Sequence, residues 1–245
     1  MVNIKLGDNT YENVEKVKLD TPEGGTVEFA PYEEAFADGR DMFWNLYQQN
    51  GKRTAYMYGF ANWPAAAINP KYDIICVGGV TSMFANAGLD GFEISLPEIA
   101  TECGIKFDFS GATTFANFAS WSKVVDFGFI DTTGCENISS GFANASSLKR
   151  ASFAIKEDGS QNFSGAFSGD YALEDFTVVS GYFGSNLNFV SSDKLTTASV
   201  QSILDHLKDL TGQAANTLAF HADVGAKLTE AQKAAITAKN WTLVY

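Results

Sequence analysis

The sequence predicts an α/β protein in which short parallel strands and helical turns stack into a solenoid, preceded by a small β module and closed by an αβ cap. Three observations predict this architecture. Phenylalanine recurs at similar intervals, each recurrence leads into a short run of alternating apolar residues, and helix–strand pairs replace the pattern at the C-terminus. The chain of 245 residues contains 20 phenylalanines but only 5 prolines, which indicates one repeated aromatic position.

Residues 1–30 are predicted to form a module of two β-hairpins. Alternating apolar residues flank the polar turn sequence at 7–9, and a second pair of alternating runs flanks the turn sequence at 21–25. Period-two alternation is typical of short strands, and clusters of Gly, Asn and Asp between two such runs are typical of hairpin turns.

The second domain, residues 31–195, is predicted to begin with a cap helix and to continue as the repeats. The helix is expected over Tyr32 to Gln49, with apolar side chains on one face and Asn50-Gly51 at its exit. A solenoid needs such a cap because its first repeat would otherwise expose an apolar edge to water.

The predicted repeat is defined by five segments that each begin with a phenylalanine, at Phe84, Phe118, Phe142, Phe167 and Phe189. These residues lie 34, 24, 25 and 22 positions apart, and the long interval contains an insertion around residues 96–104. An aliphatic residue follows after five or six positions, and alternating residues such as Phe127 and Phe129 then predict a strand with one buried face. A unit this small cannot bury its own apolar face, so we expect neighbouring units to stack and their phenylalanines to form one continuous row.

Residues 196–245 are predicted to form the αβ cap, beginning with a helix. The first helix is indicated by apolar residues at helical spacing, at Val200, Ile203, Leu204 and Leu207. Thr196 or Thr197 suits its N-cap, and Gly212 suits its exit.

A strand, a second helix and a last strand complete the predicted cap. The strand is expected over 217–220, and the helix begins at Thr229 with Gln232 placed for a capping box. Asn240 can adopt the left-handed conformation at the helix exit, and residues 241–245 alternate as the last strand.

Most of the chain resembles one family of repeat proteins. The repeats resemble the BspA-like class of leucine-rich repeats, in which a phenylalanine turn precedes a leucine strand. Several further segments are similar to leucine-rich repeat proteins of phages and prophages of gut bacteria: Tyr11 to Val14, Val17 to Leu19, Gly24 to Phe29, Phe36 to Arg40, Ile130 to Asn137, Leu228 to Lys233 and Lys239 to Leu243.

The sequence departs from that family at two kinds of position. The family often carries a cysteine three residues after the phenylalanine, where this chain has Ala87, Trp121, Ala145 and Asp170. It usually has glycine where Asn240 stands. The resemblance therefore implies the repeat without a ladder of cysteines.

The resemblance implies a virion-associated protein of the phage tail or its fibres that contacts a host surface. Proteins with this repeat are also bacterial surface adhesins. The N-terminal sequence lacks the basic and then apolar order of a signal peptide. We therefore expect a virion protein made in the bacterial cytoplasm, with the bacterial cell surface as the alternative location.

Charge and hydropathy exclude two classes of partner. With 17 basic and 29 acidic residues the net charge is −12, which argues against nucleic acid, whose binding proteins carry a basic surface. No apolar run approaches the roughly 18 residues that span a bilayer, so membrane insertion is not expected.

The residue types that carry catalysis or bind metals do not form a convincing pattern. The chain has two histidines, His206 and His221, and three cysteines without metal or redox spacing, so three free thiols are expected. Asp108 and Asp131 are each followed two residues later by a hydroxyl residue. Stacked carboxylates of this kind can bind calcium, but turn closure is favoured. We expect no enzyme activity, no cofactor and no metal.

The candidate binding surface is the outward face of the stacked strands, because solenoids carry their binding function on such ladders. Its predicted members are Glu93, Asp126, Gly128, Lys149, Arg150, Ser152, Glu174, Asp175 and Thr177. Trp121 and Tyr171 occupy variable positions in the phenylalanine turns, where they could be exposed and stack on sugar rings.

Three functions remain open on the sequence. The favoured one is a non-enzymatic recognition module that binds a host cell-surface glycan or protein. The second is a purely structural virion protein whose strand face packs against other virion subunits, with a homo-oligomer possible. The third is an enzyme that acts on surface glycan.

Overall fold

The computed structural model describes residues 2–6, 9–14, 17–20, 26–30, 44–49, 52–57, 73–85 and 94–245. Over these residues the protein is a mixed α/β structure in which short strands, many of them parallel, form small sheets and helices are few. The predicted α/β class is confirmed.

The first seven strands are β1 (Val2–Leu6), β2 (Asn9–Val14), β3 (Val17–Asp20), β4 (Thr26–Ala30), β5 (Trp44–Gln49), β6 (Lys52–Met57) and β7 (Asp73–Gly79). The middle of the chain contains β8 (Ile94–Ser95), α1 (Leu96–Cys103), β9 (Phe107–Thr114), β10 (Val124–Asp131), β11 (Arg150–Ala154) and β12 (Asp175–Ser180). The C-terminal part contains β13 (Leu187–Phe189), α2 (Thr197–Asp205), β14 (Asn216–Phe220), α3 (Ala222–Gly225), α4 (Glu230–Ala238) and β15 (Trp241–Val244).

Both predicted N-terminal hairpins are present. β1 pairs antiparallel with β2, and β3 pairs antiparallel with β4. The second hairpin continues into a six-stranded sheet of order β3-β4-β5-β6-β7-β9. This sheet runs across the predicted boundary at residue 30.

The predicted helix over Tyr32 to Gln49 is wrong at its C-terminal end. Residues 44–49 form strand β5, which pairs antiparallel with β4 and with β6; residues 32–43 lie outside the described part. Gln49 pairs with Lys52, so only Asn50-Gly51 separates the two strands. Asn-Gly between two alternating runs is a strong hairpin signal, and it is consistent with this pairing rather than with a helix exit.

A second sheet holds the strands of the predicted repeats, in the order β12-β11-β10-β8 with all neighbours parallel. Asp126 pairs with Arg150 and Arg150 pairs with Asp175, so equivalent positions lie 24 and then 25 residues apart. These intervals match the spacing of the phenylalanines in the sequence.

The turns that precede the strands are joined by backbone hydrogen bonds of the same parallel kind. Asn117 N donates to Ser139 O at 3.2 Å, and Trp121 N donates to Ala143 O at 3.0 Å. Residues with positive φ consequently align in two rows: one of Ser82, Asn117, Ser140 and Gly165, the other of Trp121, Asn144 and Gly169. The same backbone conformation therefore recurs from turn to turn.

The buried phenylalanine rings form one continuous row, as predicted. Successive centroids are 5.1, 5.8, 5.8, 5.2 and 5.9 Å apart. The row consists of Phe84, Phe118, Phe142, Phe167, Phe189 and Phe220. It extends through the turns into the C-terminal sheet, so one core serves both parts.

The predicted register is wrong by one residue at Phe118. Ala119 N donates to Gly141 O at 2.6 Å, which places Ala119, rather than Phe118, opposite Phe142. Phe118 nevertheless lies fully buried in the row of rings.

The reason for this shift is a difference in spacing within the turn. Phe118 follows Phe115 by three residues, whereas Phe142 follows Ile138 by four. The ring of Phe118 therefore enters the core from the neighbouring backbone position, whose counterpart in the next turn is Gly141. Both turns still contribute one ring and one small residue, Phe118 with Ala119 and Phe142 with Gly141, which conserves the packed volume.

Helix α1 occupies the insertion that the sequence placed around residues 96–104. Ser95 caps its N-terminus, where the side chain accepts from Glu98 N at 3.4 Å, and Gly104 ends it with φ of 65°. Leu96 is buried in the core. The helix was not predicted, although Ser95, Pro97 and Gly104 are start and stop signals that could have revealed it.

Most of the helices and strands predicted for residues 196–245 are confirmed. Thr196 caps α2, and Thr229 with Gln232 forms the capping box of α4. Asn240 has φ of 59° and leads into β15. Strands β13, β14 and β15 form a parallel sheet in that order.

The predicted exit of the first cap helix is wrong. Helix α2 ends at Asp205, and Leu207 instead pairs with Phe183. Phe183 N donates to His206 O at 2.8 Å, and Lys208 N donates to Phe183 O at 2.9 Å. This parallel backbone pairing ends the helix, so Gly212 lies in a later turn.

Candidate functional site

The predicted strand-face residues form two short rows across β10, β11 and β12. The first row contains Asp126, Arg150 and Asp175 in direct register. In the second row Ser152 lies opposite Thr177. Parallel strands lie about 4.8 Å apart, so side chains on the same face of neighbouring strands are within contact distance.

Arg150 is the centre of the first row. Its Nε donates to Asp126 Oδ2 at 2.7 Å, and this hydrogen bond, with the charges of Asp126, Asp175 and Glu98, raises the pKa of the guanidinium. The other oxygen of Asp126 accepts from Gly128 N at 2.7 Å. The row therefore presents a guanidinium between two carboxylates. The charge of Arg150 is already paired with that of Asp126.

Lys149 and Glu174 stand immediately before β11 and β12 rather than on their faces. Lys149 O accepts from the amides of Glu174 and Asp175, both at 3.0 Å. Glu174 O accepts from Thr196 N at 3.0 Å. Their backbones are thus part of the stacking, and their half-buried side chains border the row.

Helix α1 covers one end of the strand face. A Cβ on Gly128 would lie 3.0 Å from Pro97 Cγ, so glycine at this position allows the helix to approach β10. Gly128 is therefore half-buried against Pro97 rather than fully presented outward as predicted. Glu93 lies outside the described residues.

Phe129 was predicted to face the core together with Phe127, and this is wrong. Phe127 is buried, whereas 53% of Phe129 is exposed. The register shifts between Asp126 and Phe129, and Gly128 has φ of 68°. This irregularity inserts a residue into the alternation and turns Phe129 outward.

Val179 on β12 is a second exposed apolar residue, at the outward position of the alternation that buries Phe176 and Val178. Phe153 pairs with Val178, but Ala154 pairs with Ser180, so Val179 is the additional residue. Its side chain is exposed. The strand face thus carries two exposed apolar residues, and the period-two pattern could not reveal that Phe129 is one of them.

The two aromatic candidates are both exposed, as the sequence allowed. The exposed fractions are 63% for Trp121 and 61% for Tyr171. They belong to the turns that precede β10 and β12, so they do not join the rows of the strand face. The structure therefore separates the predicted residues into a strand face and a turn corner.

The histidines and the repeated aspartates have backbone roles. Asp108 Oδ1 accepts from Ser110 N, and Asp131 Oδ1 accepts from Thr133 N, both at 2.9 Å, which confirms the turn-closing interpretation. His221 Nδ1 accepts from Asp223 N at 3.2 Å, and His206 Nδ1 lies 2.8 Å from Ser202 O. Among residues in the described part of the chain, no group of three or more His, Cys, Asp or Glu could hold a metal ion.

Cys76 and Cys135 are buried free thiols. Burial raises the pKa of Cys76, and burial together with nearby Asp131 raises the pKa of Cys135 to about 12. Both therefore remain protonated and poorly nucleophilic at neutral pH. The side chain of Cys103 lies outside the described part.

No family model, curated protein or solved structure matches the chain. In the part of the chain that the structure describes, no helix is long and apolar enough to cross a membrane.

Proposed function

We propose that the repeated part of the chain is a solenoid of the BspA-like leucine-rich repeat type. Three features support this. Strands of equivalent position pair in parallel at intervals of 24 and 25 residues, the turns repeat the same left-handed positions, and one row of rings runs from Phe84 to Phe220.

On this scaffold we propose a non-enzymatic phage virion protein of the tail or its fibres that recognises a host-surface carbohydrate or protein. The observation that carries the proposal is the combination of a closed phenylalanine core with an accessible polar surface. Arg150 and Asp175 are presented in register on that surface, and Trp121 and Tyr171 project from the adjoining turns. The phage assignment depends on the resemblance of the sequence.

A structural role in the virion is the second candidate, and a specific observation favours it. Phe129 and Val179 expose apolar side chains on the strand face, while Asp126 already neutralises Arg150. Exposed apolar residues beside satisfied charges suit a permanent contact with a neighbouring subunit.

The two functions can be separated by binding to intact cells. Fluorescently labelled protein is incubated with a panel of gut bacteria, and bound protein is measured by flow cytometry. The test variant replaces Lys149, Arg150, Glu174 and Asp175 with alanine, which leaves the net charge unchanged. Recognition through the strand face predicts that the wild type labels at least one strain and that the variant labels it at least tenfold less.

A matched variant controls for the loss of charged residues in general. It replaces two cations and two anions that are exposed on other parts of the surface, namely Asp193, Lys194, Asp223 and Lys227. It should label cells as the wild type does. Failure of the wild type to label any strain, with incorporation of the protein into virions, would favour the structural role.

A further inference from the structure

The turn corner formed by Trp121, Asn144, Gly169 and Tyr171 has an unusual residue at its first position. Trp121, Asn144 and Gly169 align across three successive turns and all have positive φ, at 62°, 60° and 87°. Asparagine and glycine tolerate this conformation, whereas a bulky side chain rarely adopts it.

The conformation of Trp121 is enforced by the stacking and is not compensated by burial of its ring. Its amide is held by Ala143 O at 3.0 Å, yet its side chain is among the most exposed large apolar ones in the described residues. A strained residue held by its surroundings is a reason to look for function at that residue. An asparagine there would satisfy the backbone equally well.

The rest of the corner supplies neutral polar groups. Many Ser, Asn and Gly residues lie in the aligned turn segments 115–122, 138–148 and 163–173. The one charged residue in these segments is Asp170, which is buried. A Cβ on Gly169 would collide with the side chain of Asn144, so the glycine allows that amide to lie over the turn.

A second exposed aromatic residue lies further along the same corner. Tyr171 follows Gly169 by two residues. The turn that contains Gly169 is the second one along the stack from the turn that contains Trp121. At the usual spacing of paired strands the two backbones are roughly 10 Å apart. The corner therefore offers two aromatic side chains with amide and hydroxyl groups between them.

We propose that this corner binds a neutral carbohydrate chain, with Trp121 and Tyr171 stacking on sugar rings and Asn144 bonding to hydroxyl groups. The C–H groups of a pyranose carry partial positive charge and pack on the negative face of an aromatic ring. A neutral, hydroxyl-rich ligand matches these turn segments, whose one charged residue is the buried Asp170, on a chain whose net charge is −12. The inference rests on the proposed host recognition and adds to the strand face a carbohydrate-binding site at the turns.

The test is affinity electrophoresis of the full chain in native gels that contain dextran, mannan, galactan or xylan. We expect at least one of these neutral polysaccharides to retard the wild type. Trp121→Asn should weaken the apparent affinity by about tenfold or more, and Tyr171→Asn should weaken it as well, since each removes a stacking surface. Wild-type mobility that none of the four changes, or equal retardation of Trp121→Asn, would overturn the proposal.

Tyr182→Asn is the matched control. Tyr182 is 42% exposed but follows β12 instead of preceding it, so it lies at the opposite end of the strand from the corner. This variant and the fourfold strand-face variant should be retarded like the wild type. Retardation lost equally in Tyr182→Asn would show a nonspecific effect of surface aromatics and would overturn the proposal.

Thermal unfolding provides a readout that a structural role of Trp121 would reverse. Because asparagine relieves the strained conformation, Trp121→Asn should melt at the same temperature as the wild type or higher. A clearly lower melting temperature would mean that the indole stabilises the fold and would overturn the strain argument.

Cell binding distinguishes failure of this inference from failure of the proposed function. If the wild type and the Trp121→Asn variant label cells equally well, and no polysaccharide retards the wild type, host recognition stands. The proposed carbohydrate site at the corner is then overturned. Retardation that depends on Trp121, without labelling of any strain, would support the corner and count against host recognition.

Discussion

Asp170 is a buried carboxyl with one unpaired oxygen. Its Oδ1 accepts from Ala145 N at 3.0 Å, whereas Oδ2 has no hydrogen-bond partner and the residue is fully buried. Burial raises its pKa well above the usual range, and the bond from Ala145 opposes this only in part. The folded protein therefore holds a proton on Asp170 at pH values where the unfolded chain has released it.

This residue predicts a pH dependence of stability with a definite sign. A raised pKa in the folded state gives stability that is complete below the unfolded pKa, near 4, and is lost as pH rises toward the folded pKa. Asp170→Asn removes this titration and keeps an acceptor for Ala145 N. In urea unfolding at pH 4 to 8, the variant should become progressively more stable than the wild type as pH rises.

Asp209→Asn is the control for that experiment. Hydrogen bonds from the hydroxyl and amide of Thr211 lower the pKa of the exposed Asp209, so its contribution is lost only as pH falls through that lowered value. The difference between this variant and the wild type should stay constant above about pH 5. Parallel pH profiles for wild type and Asp170→Asn would contradict the assignment.

The phenylalanines are expected to differ sharply in their contribution to the free energy of unfolding. Phe142 is fully buried and its ring contacts those of Phe118, Phe127, Phe153 and Phe167 at 5.4 to 5.8 Å. We expect Phe142→Ala to lower the free energy of unfolding by about 3–5 kcal/mol, since it leaves a cavity. Chemical denaturation measures the change.

Phe129→Ala, on the preceding strand β10, provides the comparison. Because its ring is largely exposed, the loss should stay below about 1 kcal/mol. Equal losses for Phe129→Ala and Phe142→Ala would contradict the outward position of Phe129.

The thiols should differ in reactivity between folded and unfolded protein. Cys76 and Cys135 are buried with raised pKa values, so alkylation of the native protein should leave both unmodified. After unfolding without reductant, mass spectrometry should find three labels, including one on Cys103. A single label would reveal a disulfide.

At the scale of elements, helix α2 replaces a strand at the edge of the parallel sheet. Ser199 Oγ accepts from Phe176 N at 2.8 Å and donates to Glu174 O at 2.8 Å. Ser202 Oγ accepts from Val178 N at 2.9 Å. Two helical hydroxyls therefore satisfy the edge of β12, where unpaired amides would otherwise invite association with another chain.

This arrangement predicts a specific cost for losing one hydroxyl. Ser199→Ala leaves the buried amide of Phe176 without an acceptor, so we expect the free energy of unfolding to fall by about 1–3 kcal/mol. Thr197→Ala removes an exposed hydroxyl from the same helix and should change it by less than about 0.5 kcal/mol. Urea denaturation of both variants checks the prediction, and equal effects would show that the edge is closed by other contacts.

Elements were predictable where a local signal had one meaning. The caps at Thr196, Thr229 and Asn240 depend on side chains that bond or bend their own backbone, so the sequence alone indicates them. The helix predicted before Asn50 is wrong because Asn-Gly can end a helix or close a hairpin, and the pairing of β5 with β4 and β6 selects the hairpin.

For the candidate site, the sequence predicts which side chains align on neighbouring strands but not which of them are exposed to solvent. Spacing alone brought Asp126, Arg150 and Asp175 together. The bulge at Gly128 and the cover of α1 arise from contacts between distant parts of the chain, which period-two alternation does not contain. The same limit applies to the register of Phe118, since a difference of one residue in turn spacing is compensated only by the packing of the neighbouring turn.

At the scale of the whole molecule, the row of rings continues from the turns into the C-terminal part of the described chain. Phe189 stacks on Phe167 at 5.2 Å and on Phe220 at 5.9 Å, so the row passes from the turns into the sheet of β13, β14 and β15. Helix α2 closes the edge of the other sheet at the same point. The residues after 195 therefore cover both the last ring before them, Phe189, and the backbone edge of β12.

Removal of residues 196–245 should therefore be far more damaging than its length suggests. The truncation exposes Phe189, deprives β13 of its partner β14 and uncovers the amides of β12. We expect aggregation or loss of cooperative unfolding, because an uncapped stack presents apolar surface and an open strand edge. Size-exclusion chromatography with light scattering and a thermal melt measure both outcomes.

Removal of residues 1–14 is the control, because β1 and β2 form a sheet of their own, and that variant should keep the wild-type transition. A soluble, monomeric protein with an unchanged melting transition after loss of 196–245 would contradict the capping role.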